Sequence, residues 1–506
     1  MLSPSPYISK TDFLNYLTCP GYAWHARHNE DLLPPLDEGS LRRMRSGQEV
    51  ERLARETLPP GYTIHTHEIR EADRLTRNAI AAGELVLFQP TALAETGLVA
   101  RADALIRIDD GWHLIEVKSS SIDPENFKPT SIKKHIADVT FQTLAFRQSG
   151  IPIVKASLLM LNKNFRRNGE ISPDDLFAQV DITDEVKNAQ LSIQNQIEDA
   201  VVTLLDSRNP AECDCHRKTR ANRCELFSHF YPDIPERDTI YNIASIQRGT
   251  LLPALDRGVL RIQDWPDDLA LSAKQRRQVD IARSGVESVH REALSAFLNG
   301  MAMPLWYLDY ETFQNPVPRW EGYAPHQQIT FQYSLHKWSN NGEPEHFEYL
   351  AESAIDDPTR LLLENLRRDL DTHGSVVVWN KSFEQGRNRE MAQRFPDHAN
   401  FLDDINDRMV DLADAVKNGW WESPEFQGSW SLKQVLPVAA PELDYKNLEI
   451  GDGGTASERW MQAVLDSPRA LSDTERDDVL QALRVYCAQD TLAMHRIRDY
   501  MLGLLS

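Results

Sequence analysis

Two acids, Asp309 and Glu311, lie two residues apart in the run YLDYETF, among neighbours that are otherwise apolar, aromatic or Thr312. On a strand, positions two apart share a face, so both carboxylates would point the same way. A buried, unpaired carboxylate costs several kcal/mol, and a divalent cation compensates two at once. Glu384, in WNKSFEQGRN, falls where the first turn of a helix should follow a strand at 375–380. The helix dipole favours an acid there in any case. Tyr486 and Asp490 are four apart, which stacks them on one helix face. Each piece has a plain reading as an ordinary helix acid or packed pair. Their ordered combination favours a shared metal site over those readings, with Asp411 in MVDLAD as a supporting candidate.

A second constellation lies in RADALIRIDDGWHLIEVKSSS at 101–121. Asp103 sits on one expected strand, and Glu116 and Lys118 share a face of its hairpin partner, across the turn Asp109-Asp110-Gly111. Two carboxylates can hold a metal that activates water, and a lysine can stabilise the phosphate under attack. A helix carrying Gln142 and Phe146 follows. The tripeptide E-x-K is common by chance; the strand-borne Asp103 before it gives it meaning.

Five cysteines remain: Cys19, Cys213, Cys215, Cys224 and Cys487. In a chain expected to be cytoplasmic they suggest metal or cluster ligation rather than disulfides. Buried unligated thiols are the third reading, and Cys487, beside Tyr486, reads as a packing residue.

The elements that must position these residues follow from pattern. At 506 residues, two or three domains are expected. Hydrophobic residues at 41% and charged residues at 26% are ordinary for a water-soluble folded chain, and no run approaches the roughly 18 apolar residues of a membrane span. The formal charge of −21 argues against coating nucleic acid by bulk attraction, although basic runs at 42–45, 133–134, 166–167 and 216–220 can hold phosphates locally. Helical pattern covers 11–55, 133–148 and 184–206, with strand pattern at 85–90, 98–108, 112–118 and 153–161. A second α/β region begins at 304. Its strands are expected at 304–313, 329–338, 345–350 and 375–380, with a turn at Asn340-Asn341-Gly342 and helices at 358–371, 383–395, 403–417 and 475–503.

The series D-x-E, N-x-x-F-[DE], Y-x-x-x-D resembles the three exonuclease motifs of the DEDD superfamily, tyrosine subtype, on an RNase H-like mixed sheet. The resemblance implies that Asp309, Glu311, Glu384 and Asp490 hold two magnesium or manganese ions, that Tyr486 orients or helps deprotonate the attacking water, and that polarity is 3′-to-5′. Glu384 stands where Asp is usual. The first half, from SKTDFLNYLTCP through Gly47-Gln48-Glu49 to Asp103, Glu116, Lys118 and Gln142, resembles RecB-like PD-(D/E)xK nucleases with a restriction-endonuclease-like fold. It includes a CRISPR-associated branch in which one cysteine before the core and three after it hold an iron–sulfur cluster. By that resemblance Asp103 and Glu116 bind metal, Glu49 replaces the usual helix histidine, and Cys19, Cys213, Cys215 and Cys224 hold [4Fe–4S], with zinc the open alternative. Gln142 opens a Gln-x-x-x-Phe motif where Tyr is usual.

The whole chain resembles bacterial fusions of the two: a RecB-like domain at 1–235, a helical linker at 236–300 and a DEDD-type domain at 301–506. The expectation is a cytoplasmic, metal-dependent nuclease with two sites, acting on DNA with single-stranded ends in repair or defence. An RNase using the C-terminal site, or a non-catalytic nucleic-acid-binding scaffold, are the alternatives.

Overall fold

The computed structural model describes residues 6–208, 210–339, 344–465 and 471–506. It is a mixed α/β protein with two compact units: Met1–Pro232 with Asn315–Gln327, and Asp233–Gln314 with Gln328–Ser506. Residues 236–300, expected as a linker, fall inside the second unit. They hold helices Arg248–Leu255 and Ala273–Ser284 over a core of Ile240, Tyr241, Leu251, Trp265 and Val279, and helix Arg291–Asn299, which packs on Asp473–Gly503. Strand Ser288–Val289 pairs antiparallel with Trp421–Glu422. Burial of its own apolar side chains makes this stretch part of a folded unit. Asn315–Gln327, inside the expected C-terminal domain, groups with the first unit, where Val317 is buried beside Val50 and Phe177.

The first unit is built on a six-stranded mixed sheet in the order Tyr62–Thr63, Val86–Phe88, Ala104–Ile108, Gly111–Ile122, Ile153–Asn162, Phe177–Asp181. One face packs on helices Lys133–Gln148 and Thr183–Leu205 through residues such as Leu114, Leu158, Phe141 and Ile193. The other packs on helix Glu38–Glu56 through Val50, Leu53 and Ala54. The hairpin at 104–122 turns on Asp109 and Asp110, with Ile108 opposite Gly111. A Cβ on Gly111 would lie 2.6 Å from the Pro152 carbonyl oxygen, so only glycine lets the neighbouring segment approach this closely. The helix expected over 11–55 is three: Lys10–Thr18, Pro20–His28 and Glu38–Glu56. Pro20 cannot donate to the first helix and instead starts the second at its N1 position. The strand expected at 98–108 is likewise two, Leu98–Arg101 and Ala104–Ile108, broken at Ala102-Asp103.

The second unit holds a five-stranded mixed sheet in the order Glu345–Leu350, Ile329–Trp338, Leu305–Phe313, Ser375–Val378, Met409–Asp411. The two strands around the expected Asn340-Asn341-Gly342 turn pair antiparallel; the turn itself lies outside the described residues. Alternation sorts the central strand. Trp306, Leu308 and Tyr310 enter a core with helices Pro358–Asp369, Lys381–Arg394 and Ala399–Arg408. Tyr307 faces His495 of helix Asp473–Gly503, ring centroids 5.5 Å apart, and Asp309 and Glu311 share that side. The helix expected over 403–417 stops at Arg408, because Met409–Asp411 joins the sheet. Among the described residues no helix is long and apolar enough to cross a membrane.

Candidate active site

Strand Leu305–Phe313, the N-terminal turn of Lys381–Arg394 and the middle of Asp473–Gly503 bring Asp309, Glu311, Glu384, Tyr486 and Asp490 to one open cleft. The strand's register shifts between Glu311 and Thr312, a bulge that re-aims the chain just past the second acid. Glu311, Glu384 and Asp490 are buried and Asp309 is partly so. Burial, followed by the Asp490 charge, pushes Asp309 well above the usual carboxylate range. Burial, Asp309 and Asp490 do the same to Glu311; burial, Asp309 and Glu311 do so to Glu384. Asp490 is pushed up to about 6 by burial, with the Tyr445 hydroxyl, which donates to its Oδ1, and Lys433 pulling the other way.

This donor set fits divalent cations. Glu384 Oε2 is buried without a hydrogen-bond partner, an arrangement that a hard cation would relieve. Ligand atoms of Asp309, Glu311 and Cys487 all lie within 4.8 Å of one another. Cys487 Sγ is 3.7 Å from Asp309 Oδ2, so its place is beside the acids as well as in the packing. Asp411 does not line the cleft; it is paired with Lys417 Nζ at 2.8 Å and accepts from the Lys381 and Ala413 amides. Lys433 and Tyr445 were missed by sequence reasoning. Lys433 Nζ lies 3.4 Å from the Tyr486 hydroxyl and within about 5.4 Å of both tyrosine ring centres. Neither belongs to a local acid motif, so no spacing signal marked them.

The first unit gathers Glu116, Lys118 and Gln142 on the hairpin strand and helix expected to carry them, while Asp103, expected on a strand, sits in the break between Leu98–Arg101 and Ala104–Ile108. Lys118 Nζ lies 2.8 Å from Glu116 Oε1 and 2.7 Å from Asp138 Oδ2. Lys10 Nζ lies 2.7 Å from the same Glu116 oxygen and 3.4 Å from Asp138 Oδ1. Gln142 Nε2 donates to Glu116 Oε2 and to Asp138 Oδ1, both at 2.8 Å. Burial opposes ionisation of Glu116, but Lys118 and Lys10 outweigh it and hold the group at about 2. Asp103, with no ammonium on it, is pushed up to about 8 by burial and by Glu116. Its oxygens accept from the Val117 amide at 2.8 Å and Gln89 Nε2 at 3.2 Å. Each carboxylate oxygen of Asp103 and Glu116 therefore already accepts a protein hydrogen bond, and Glu116 Oε1 accepts two.

Glu49 is not brought to this site: it is exposed on helix Glu38–Glu56. Two residues on, about 200° around the helix, Glu51 Oε1 accepts from Gln89 Nε2 at 2.6 Å. Asp138, Lys10, Glu51 and Gln89 were missed. Asp138 alone had a signal, four residues before Gln142 on the same helix face. The sulfur atoms of Cys19, Cys213, Cys215 and Cys224 all lie within 4.8 Å of one another.

Residues 306–431 match a family described as a domain of unknown function, DUF2779. The match takes in Asp309, Glu311 and Glu384 and stops before Tyr486 and Asp490. The chain is 28% identical over 217 residues to uncharacterized protein MG366 of Mycoplasma genitalium, covering 39% of this chain and 32% of that one. It is 24% identical over 222 residues to uncharacterized protein UU173 of Ureaplasma parvum, covering 39% and 31%. It thus spans about a third of the length of the curated relatives it matches. Among solved structures it resembles an alkaline exonuclease of Laribacter hongkongensis at TM-score 0.21 and 13% identity, over 40% of this chain and 92% of that one.

Proposed function

We propose that the second unit is a divalent-metal-dependent phosphodiesterase that trims DNA from 3′ ends. The observation that carries this reading is the cleft of four converging acids, in which Glu384 Oε2 has no protein partner. Asp309, Glu311, Glu384 and Asp490 would hold two magnesium or manganese ions, which stabilise the attacking and leaving oxygens of an in-line displacement. A mixed sheet with the first two acids on its central strand supports the RNase H-like, DEDD-type reading. Burial first, then Asp490, Glu311 and Asp309, keeps the Tyr486 phenol protonated in the metal-free cleft. Its role is then to orient a water by hydrogen bonding. Lys433, beside it, presents an ammonium to the phosphate.

The first unit we read as a PD-(D/E)xK-type site on Asp103, Glu116 and Lys118, secondary in activity because Glu116 is already held by two lysines. The full chain is a nuclease of DNA repair or defence, working on single-stranded ends in the cytoplasm. The test uses purified protein, manganese, and single-stranded DNA and RNA labelled at either end. The expected result is a ladder from 3′-end degradation of DNA that Asp309→Ala removes, and a separate activity that Lys118→Ala removes. RNA degraded in preference to DNA makes the second unit an RNase. Activity unchanged in the Asp309→Ala, Lys118→Ala double variant overturns both sites, and inactivity with binding retained makes the chain a scaffold.

A further inference from the structure

We infer that Cys19, Cys213, Cys215 and Cys224 form a closed tetrahedral site for one zinc ion, and that a [4Fe–4S] cluster does not fit them. Cys19 Sγ lies 3.6 Å from Cys213 Sγ and 3.8 Å from Cys215 Sγ. A tetrahedral ion with zinc–sulfur bonds of about 2.3 Å sets its sulfurs about 3.8 Å apart. The observed spacing is that of one ion's ligands.

A cubane needs more room. Each thiolate binds a different iron and lies outside it, with four irons and four sulfides between the sulfurs. Even if every sulfur pair stood at the 4.8 Å bound, the corners would lie about 2.9 Å from the centre. A metal–sulfur bond of about 2.3 Å uses nearly all of that radius. The four irons would have to sit almost on top of one another. Disulfides fit no better, since they require sulfurs about 2.0 Å apart in separate pairs, whereas Cys19 approaches two partners almost equally.

Backbone amides face three of the four sulfurs. Cys19 caps helix Pro20–His28, and its sulfur accepts from the Tyr22 amide at 3.4 Å. Cys213 Sγ accepts from the Cys215 amide and Cys215 Sγ from the Cys224 amide, each at 3.4 Å. Lys218 Nζ stands 4.0 Å from Cys215 Sγ. Four thiolates around a divalent ion leave two negative charges, and these amides and the ammonium offset them. Tyr22, Phe227, Phe230 and Tyr231 pack around the sulfurs. Four protein ligands leave no open position, which makes the site structural rather than catalytic. It ties the junction of the first two helices to the segment after Thr183–Leu205, and so fixes the helix that carries Lys10.

The test is elemental analysis and absorbance of the full chain, expressed in iron-replete cells and purified anaerobically. Expected are about one zinc per chain, kept in Asp309→Ala and lost in Cys215→Ser, and no absorbance at about 400 nm. Exchange of the wild-type chain with cobalt should give the visible bands of tetrahedral thiolate cobalt, a readout that does not depend on folding of the Cys215→Ser variant. Treatment of the apoprotein with ferrous iron and sulfide should leave it colourless. About four irons with matching sulfide, a single iron, or cobalt without thiolate bands overturns the inference.

Discussion

The two acid clusters answer the same physical problem in opposite ways. In the first unit, Glu116 and Asp138 sit between the ammonium groups of Lys10 and Lys118, and Glu116 stays ionised although buried. In the second, Asp309, Glu311 and Glu384 face one another, and all are driven toward their protonated forms. Removing one partner of a buried pair leaves an uncompensated charge, whereas removing one of several crowded acids relieves repulsion. A site that neutralises itself stays folded without an external cation. A site that does not is poised to take one.

The largest expected effect is at Asp309. Asp309→Asn should lower metal-dependent hydrolysis about 10³-fold, roughly 4 kcal/mol of transition-state stabilisation. The same substitution should raise the melting temperature of the EDTA-treated protein by a few degrees, read by calorimetry, because one crowded carboxyl is gone. Glu116→Gln should do the reverse in the first unit. It leaves the Lys10 and Lys118 ammonium groups sharing Asp138 where they had two buried acids, and breaking a buried pair costs up to about 3–5 kcal/mol. Hydrogen exchange along Gly111–Ile122 should then rise sharply. If both substitutions move stability in the same direction, the contrast between the clusters fails.

Titration should separate the clusters next. Asp490, held at about 6, binds its proton more tightly when folded than the unfolded chain does. Its stabilising contribution is present below about pH 4 and is lost as pH rises through 6. Glu116, held at about 2, has the opposite sign: its contribution is present above about pH 4 and is lost only as pH falls through 2. Asp103, at about 8, has the sign of Asp490: its contribution in the first unit is present below about pH 4 and is lost as pH rises through 8. In EDTA, protection of strand Leu305–Phe313 should therefore hold as pH drops from about 4 to 2 while that of Gly111–Ile122 falls, and both should fall as pH rises above about 4. Manganese should flatten the first curve. Parallel curves, or no response to manganese, would break the comparison.

Why one site was the more legible in sequence follows from where its residues come from. Asp309 and Glu311 obey the strand period, and Tyr486 and Asp490 the helix period, so local spacing alone put each pair on one face. Helix Lys133–Gln148, strand Ile153–Asn162 and helix Thr183–Leu205 were likewise visible from periodicity. Lys10 and Lys433 were not, because each reaches its site from a segment with no acid motif, and only tertiary packing joins them. Met409–Asp411 was hidden inside a helical pattern, since three residues carry too little period to outweigh their flanks. Glu49 lies on the exposed side of its helix and Glu51 reaches Gln89, a phase set by how Glu38–Glu56 lies on its own unit's sheet.

That difference of phase gives the smallest and most selective prediction. Glu51 holds Gln89 Nε2, which also reaches Asp103 Oδ1, and the Glu51 charge adds to burial and Glu116 in raising Asp103. Glu51 is also partly exposed and paired with Arg55, so solvent and that guanidinium blunt its influence. Glu51→Gln should move the rising limb of the pH–rate profile of the Lys118-dependent activity to lower pH, because Asp103 then ionises more readily. The change in maximal rate should be no more than a few-fold, about 1 kcal/mol. Glu49→Gln should leave the profile where it was, since an exposed carboxylate on the far side of the helix makes no contact with the cluster. A shift produced by Glu49→Gln and not by Glu51→Gln would mean that the helix turns its other face to the acids when the site is working, and that self-neutralisation is not the state in which the first unit acts.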